Sequence, residues 1–328
     1  VNVPFCIFTV LVGRKILHES KDENAQRKVD YPSVLLGFSG VALVVLAISQ
    51  SEEWGFIDLR SGSAMAAGIV LIAGFVRRCQ VAESPLLDLS LFKLPFVVAA
   101  NLSGVLFSVG FIGMWLLNTT WLQQVWHYSV VKSGLATFAG PAMAAFIAPF
   151  AGKFAMKWGH ARVLFLGSVL LSFGTIMMTN FITTEPNFVT HYLPWMLLTG
   201  MGVGFCISTL SSAATAFLPP PRFAMGSALN TTTRQIGTAL GSAIALTVAA
   251  PAFKQIYSLG VRAKEAATSG MPLNWTDETA KLDLSAYHTA WNINGVVYLV
   301  AGILMILIYR KPTDAQLVNA GAKITFED

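Results

Sequence analysis

The stretch Arg222–Ala250 reads RFAMGSALNTTTRQIGTALGSAIALTVAA. It opens on a cation, continues apolar and small-sided for the length of a membrane crossing, and carries a second cation, Arg234, inside. At 1.5 Å of rise per helical residue, Arg234 stands roughly 12–16 Å along such a helix. A charge near the bilayer centre costs about 3 kcal/mol on insertion scales, so it is kept only where it faces a bundle interior or a wet cavity. Asn230 lies one turn before Arg234, and Thr231, Gln235 and Thr238 share the adjacent face. The polar positions therefore have helical spacing. That pattern fits a cavity-lining face, and equally a structural arginine bonded to carbonyls of a neighbouring helix.

The same composition extends outward. The chain has 328 residues, of which 54% are hydrophobic and only 12% charged. Soluble domains carry about 25% charged residues. Apolar runs at 32–50, 61–78, 94–118, 133–152, 163–182, 194–217, 226–250 and 285–309 are each near the length that crosses the hydrocarbon layer. In lipid every backbone amide needs a partner within its own element, and continuously apolar runs satisfy this as helices rather than as alternating barrel strands. The chain thus reads as an all-α polytopic membrane protein with the bilayer as its main partner. The run Val1–Gly13 is about half a crossing long and is expected to be the end of a helix that begins upstream.

Charge orients the spans. One set of alternate loops holds Arg60, Lys132, Lys254, Arg262, Lys264 and Lys281, four of them in the single long loop 251–284. The other set holds every remaining Lys and Arg except Arg234, and is expected to be cytoplasmic. The net charge of +5 is spread over these loops, not gathered in a stripe, so nucleic acid is not an expected partner. Cys6, Cys79 and Cys206 are isolated and suggest neither disulfide nor metal. No HExxH, GxSxG or GxxxxGK[ST] is present, no enzyme activity is expected, and no cofactor or metal is implied.

Small residues mark expected close helix approaches: Gly200 with Gly204, and Gly237 with Gly241, are GxxxG pairs. Gly134, Gly140, Pro141 and Pro149 interrupt the 133–152 run, either for packing or to let a path-lining helix bend. Asn101, Ser212, Trp115 and Trp291 are further candidates for a substrate path, as ordinary packing is for each of them. None of the complete spans contains Asp or Glu. His288, near the outer end of the last span, is the one candidate for a protonatable group inside them, and an interfacial polar role is its alternative. Gly152, Lys153, Lys157, Gly159 and Arg162 form a short basic connection, expected to hold two antiparallel spans together.

That connection, GKFAMKWGHAR, resembles the second-half echo of the cytoplasmic loop motif of the major facilitator superfamily, with Met156 where the motif carries aspartate. Asn2-Val3-Pro4 resembles the end of the sixth span of the family's 14-span drug:proton antiporter branch, with Cys6 in place of a glycine. Gly226–Asn230 with Arg234–Gly237 resembles that branch's thirteenth span. The resemblance implies a partial major facilitator fold. Residues 1–13 would end span 6, 14–31 would be a cytoplasmic linker, and 32–78 two extra helices between bundles. A six-helix bundle would occupy 94–309 with an external loop at 251–284, and 310–328 would be a cytoplasmic tail. It also implies proton-coupled efflux of hydrophobic or cationic drugs across the cell membrane, with the coupling site in an N-terminal half upstream and the fragment inactive alone. A metabolite exporter of the same fold and a non-transporting remnant or sensor are the alternatives.

Overall fold

A computed structural model describes Phe8, residues 11–13, 30–55, 58–82, 87–219, 222–268 and 285–313. The Asn-x-Pro signature, Cys6, most of the expected 14–31 linker, residues 269–284 and the tail beyond 313 lie outside the described residues. Among the described residues there is no strand. Eight helices are long and apolar enough to cross a membrane. They are α1 (Tyr31–Ser49), α2 (Leu59–Val81), α3 (Pro95–Thr120), α4 (Val130–Trp158), α5 (His160–Phe181), α6 (Leu193–Ala213), α7 (Phe223–Thr268) and α8 (Ser285–Ile308). A π turn, Trp121–Val125, extends α3, and another, Phe188–Tyr192, precedes α6.

Three boundaries differ from the sequence expectation, each for a physical reason. Helix α4 starts at Val130 and does not stop at Gly152; it continues to Trp158 through Pro141 and Pro149. Lys153 and Lys157 are exposed, so the helix simply leaves the apolar layer still wound. Helix α7 likewise passes Pro251 and reaches Thr268, so much of the expected 251–284 loop is helical. The short run drawn as 61–78 is a full helix capped at its start by Asp58, which accepts from the Arg60 amide at 2.8 Å. The four-residue helix Ser51–Trp54 sits in the connection before it.

The helices α3 to α8 form an arc in the order α7, α3, α8, α5, α6, α4, read from which neighbours pack against one another. α1 and α2 pair as a hairpin, and α1 rests on α7, where the Thr247 hydroxyl donates to the Ile48 carbonyl at 3.2 Å. Aromatic groups tie the ends together. Phe96 at the start of α3, Phe217 after α6 and Tyr309 after α8 cluster at one end, with Phe96–Phe217 centroids 5.2 Å apart. Trp121, Trp126, Tyr192, Tyr287 and Trp291 fill the other end. α3 therefore runs from the first end to the second, and α6 and α8 run back from the second to the first.

Two ion pairs among the described residues fasten connections outside the core. Arg78 binds Asp30 through Nε and Nη2, each 2.9 Å from Oδ1, and joins the start of α1 to the end of α2. That guanidinium, together with the Ser33 hydroxyl, holds the Asp30 carboxyl below its usual range. Arg222, just before α7, reaches Asp88 at 3.4 Å and Ser90 at 3.3 Å before α3.

Candidate functional site

The seam between α3 and α7 is built by small residues. A Cβ at Gly237 would lie 2.5 Å from the Val105 carbonyl oxygen, and one at Gly241 2.6 Å from the Val109 Cα. Backbones thus touch directly at two points one turn apart. At the level of Gly104 the same seam accepts larger polar groups: a Cβ there would meet Arg234 Cγ at 3.3 Å and Asn230 Nδ2 at 3.4 Å. Asn230 is buried and Arg234 half-buried. Arg234 Nε and Asn230 Nδ2 are both buried atoms without a hydrogen-bond partner among the described residues. The guanidinium carbon stands 6.0 Å from the centroid of the Phe107 ring.

One turn toward the basic end, Asn101 donates to the Val97 carbonyl at 2.8 Å and accepts from the Thr233 hydroxyl at 2.8 Å. Thr231 and Gln235, on the neighbouring face of α7, are exposed, and the Thr231 hydroxyl turns back to the Ser227 carbonyl. Asn101, Asn230 and Arg234 therefore come together, whereas Thr231 and Gln235 face away from the seam. Gly104 and Thr233 complete the group. Sequence reading missed Gly104 because one glycine in an apolar span carries no local signal; Thr233 sat unremarked within the polar run.

A second feature lies between α3, α4 and α6. Phe111, Met114 and Trp115 face Gly140, Pro141, Met196, Thr199 and Gly200 around an almost wholly apolar cavity of about 200 Å³. Its narrow side is another small-residue contact: a Cβ on Gly200 would lie 2.5 Å from the Gly140 carbonyl oxygen, and one on Gly204 2.7 Å from that of Ala144. Stacked Phe107 and Phe111 (centroids 5.7 Å apart), then Phe111 and Trp115 (6.5 Å), run up α3 from Arg234 to this cavity.

The remaining candidates lie apart. Trp291 is fully buried in the aromatic end, donating to Asn118 Oδ1 at 3.0 Å, and so is not on the cavity wall. His288 is half-buried beside it, its ring stacked on Trp291 at 6.1 Å. Ser212 is exposed on α6, its hydroxyl bonded to the Ser208 and Thr209 carbonyls. The basic connection is not a loop from 152 to 162. It is a break at Gly159, whose φ of 86° ends α4 and starts α5. Gly152 lies within α4 with open space around it. Lys153, Lys157 and Arg162 are exposed and form no hydrogen bond or ion pair among the described residues. Among the same residues no group of His, Cys, Asp and Glu could hold a metal.

The family model of the Major Facilitator Superfamily matches residues 29–257. The chain is 30% identical over 246 residues to a multidrug resistance protein B homolog of Mycobacterium tuberculosis, covering 74% of this chain and 45% of the relative. It is 26% identical to the multidrug efflux pump LfrA of Mycolicibacterium smegmatis, over 74% of this chain and 47% of the pump. With the tetracenomycin C resistance and export protein of Streptomyces glaucescens the identity is 25%, over 74% and 45%. The chain spans about half the length of the curated relatives it matches. A partly buried arginine, glycine-notched helix seams, eight apolar crossing helices and a family match over most of them agree: the chain belongs to the Major Facilitator Superfamily.

Proposed function

We propose that these helices are the second half of an exporter that moves hydrophobic or cationic small molecules out across the cell membrane at the expense of a proton gradient. On this reading α3–α8 form one of two bundles that rock about a central path, α1 and α2 are the extra helices of a 14-span plan, and residues 310–328 lie in the cytoplasm. The supporting observation is the apolar cavity between α3, α4 and α6, walled by Phe111, Met114, Trp115 and Met196 and joined by an aromatic ladder to Arg234. Aromatic and methionine side chains adapt to greasy ligands and attract cations. Arg234 and Asn230 shape the path beside it. Proton coupling needs a group that titrates within the membrane; the crossing spans, with α7 counted over Phe223–Ala252, hold no Asp or Glu, and with His288 stacked in the aromatic end that group is assigned to the first half. The chain alone is expected not to transport.

The test is ethidium efflux from drug-sensitive cells carrying the whole protein, with and without a protonophore. Efflux that stops on collapse of the gradient supports the reading. Efflux indifferent to the gradient removes the coupling, and absence of efflux removes the transport claim for such cations. A second reading, export of an endogenous product, is favoured by relatives named for tetracenomycin C and cephamycin export. Accumulation of a cell's own product on loss of the protein would identify it.

A further inference from the structure

The seam between α3 and α7 holds a cation, Arg234, that forms no ion pair among the described residues. With α7 counted over its crossing part, Phe223–Ala252, none of the eight crossing spans contains Asp or Glu. A guanidinium remains protonated at any physiological pH, so Arg234 cannot shed its charge to suit the surroundings. Its Nε is buried and unpartnered. So is Nδ2 of Asn230, a residue only 3% exposed. Both side chains pass over the Gly104 notch, within 3.4 Å of where a Cβ would stand. Two unpartnered donors thus belong to side chains that lie side by side over this notch.

The local acceptors are already engaged. The Asn101 carboxamide oxygen takes the Thr233 hydroxyl, and the Val97 carbonyl takes the Asn101 amide. Phe107 closes the next turn with an aromatic ring. A neutral hydrocarbon placed here leaves both donors unsatisfied, and a dianion carries more charge than one guanidinium balances in a low dielectric. A planar monoanion with two oxygens fits. Guanidinium Nε and an Nη present parallel N–H groups to a carboxylate, and Asn230 Nδ2 supplies a third bond. Arg234 is only partly buried as a residue, so its side chain is not sealed off.

The geometry points to the Asn230–Arg234 notch as a carboxylate-binding site. The carboxylate comes either from an acidic side chain outside these eight crossing spans or from the transported molecule itself. Only the second source rests on the transport reading. If the cargo is a cation, the protein's own acid is the partner, and Arg234 competes with the cargo for it.

The test uses the purified whole protein in detergent, with Arg234→Gln, Arg234→Lys and Asn230→Ala. Melting is followed against added benzoate, with uncharged benzamide as control, and the carboxyl groups are titrated by infrared spectroscopy. If the source is a ligand, benzoate raises the melting temperature of the wild type, benzamide does not, and Arg234→Gln abolishes the rise. Asn230→Ala then raises the half-saturating benzoate concentration about tenfold, the worth of one charge-assisted hydrogen bond. If the source is the protein, benzoate has no effect and one carboxyl protonates at higher pH in Arg234→Gln than in wild type, with Arg234→Lys near wild type. No benzoate response together with an unchanged carboxyl titration overturns the site. Efflux measured on the same variants keeps the two claims apart: loss of efflux with neither response leaves transport standing and removes the carboxylate.

Discussion

Replacing Gly241 by alanine should unseat α7 from α3. The added Cβ would lie 2.6 Å from the Val109 Cα and 2.7 Å from the Ile112 Cγ2, and in contact with the Val109 carbonyl oxygen. Carbon pairs settle at about 3.5–4.0 Å, so the helices must part by roughly 1 Å. The obstruction is largely backbone, so no rotamer change relieves it. Overpacking of this kind costs about 1–3 kcal/mol. Gly237→Ala meets the Val105 backbone on the same row, and the double variant should cost less than the sum because one separation relieves both. Gly152→Ala is the control. Nothing lies within 4 Å of that Cβ, and removing a helical glycine is neutral or favourable by about 1 kcal/mol. The assay is unfolding of the purified whole protein, read by tryptophan fluorescence from the buried Trp121 and Trp291. A Gly241→Ala midpoint equal to wild type, or an equal loss in Gly152→Ala, would refute the close-seam argument. Because Arg234 sits two turns along the same seam, Gly241→Ala should also depress efflux beyond its effect on abundance.

Arg234→Ala should abolish efflux while leaving membrane abundance near wild type, since it removes an unbalanced charge rather than a satisfied contact; quantitative blotting beside a dye-efflux trace checks both. Asn118→Leu strands the Trp291 indole N–H in the aromatic end and should cost about 1–3 kcal/mol, with Trp291→Phe added on top recovering part of the loss in a double-mutant unfolding cycle. Asp30→Asn should lower the melting temperature at neutral pH. The Asp30 carboxyl is held below its usual value of 3.8, chiefly by the Arg78 hydrogen bond, so its contribution is present above that pH and lost as pH falls through the folded value. Melting curves of wild type and Asp30→Asn should therefore converge in acid, and a gap that persists there contradicts the ion-pair account.

The crossing helices were legible because the bilayer leaves the backbone one economical solution, and a long apolar run announces it. Their ends were not, because a helix obeys its own hydrogen bonds rather than the edge of the hydrocarbon. Lys153 and Lys157 read as the close of a span, yet both sit exposed on a helix that continues to Trp158 and stops where Gly159 can take a positive φ. The site divides in the same way. Asn230 and Arg234 are four residues apart, and that spacing alone predicts one shared face. Spacing cannot say which side of that face meets a neighbour, so Thr231 and Gln235 looked equally involved and are exposed instead. Gly104 was invisible for a deeper reason. Its role lies in what it omits, and the omission has meaning only once Arg234, far along the chain, is laid across it. That lets the notch be tested apart from the charge. Gly104→Ala in the whole protein leaves every polar group in place but puts a methyl 3.4 Å from Asn230 Nδ2 and 3.3 Å from Arg234 Cγ. If the notch matters because two donors converge there, efflux should fall in Gly104→Ala while the fold survives. If only the positive charge matters, Gly104→Ala should transport like wild type, and the convergence would be incidental packing.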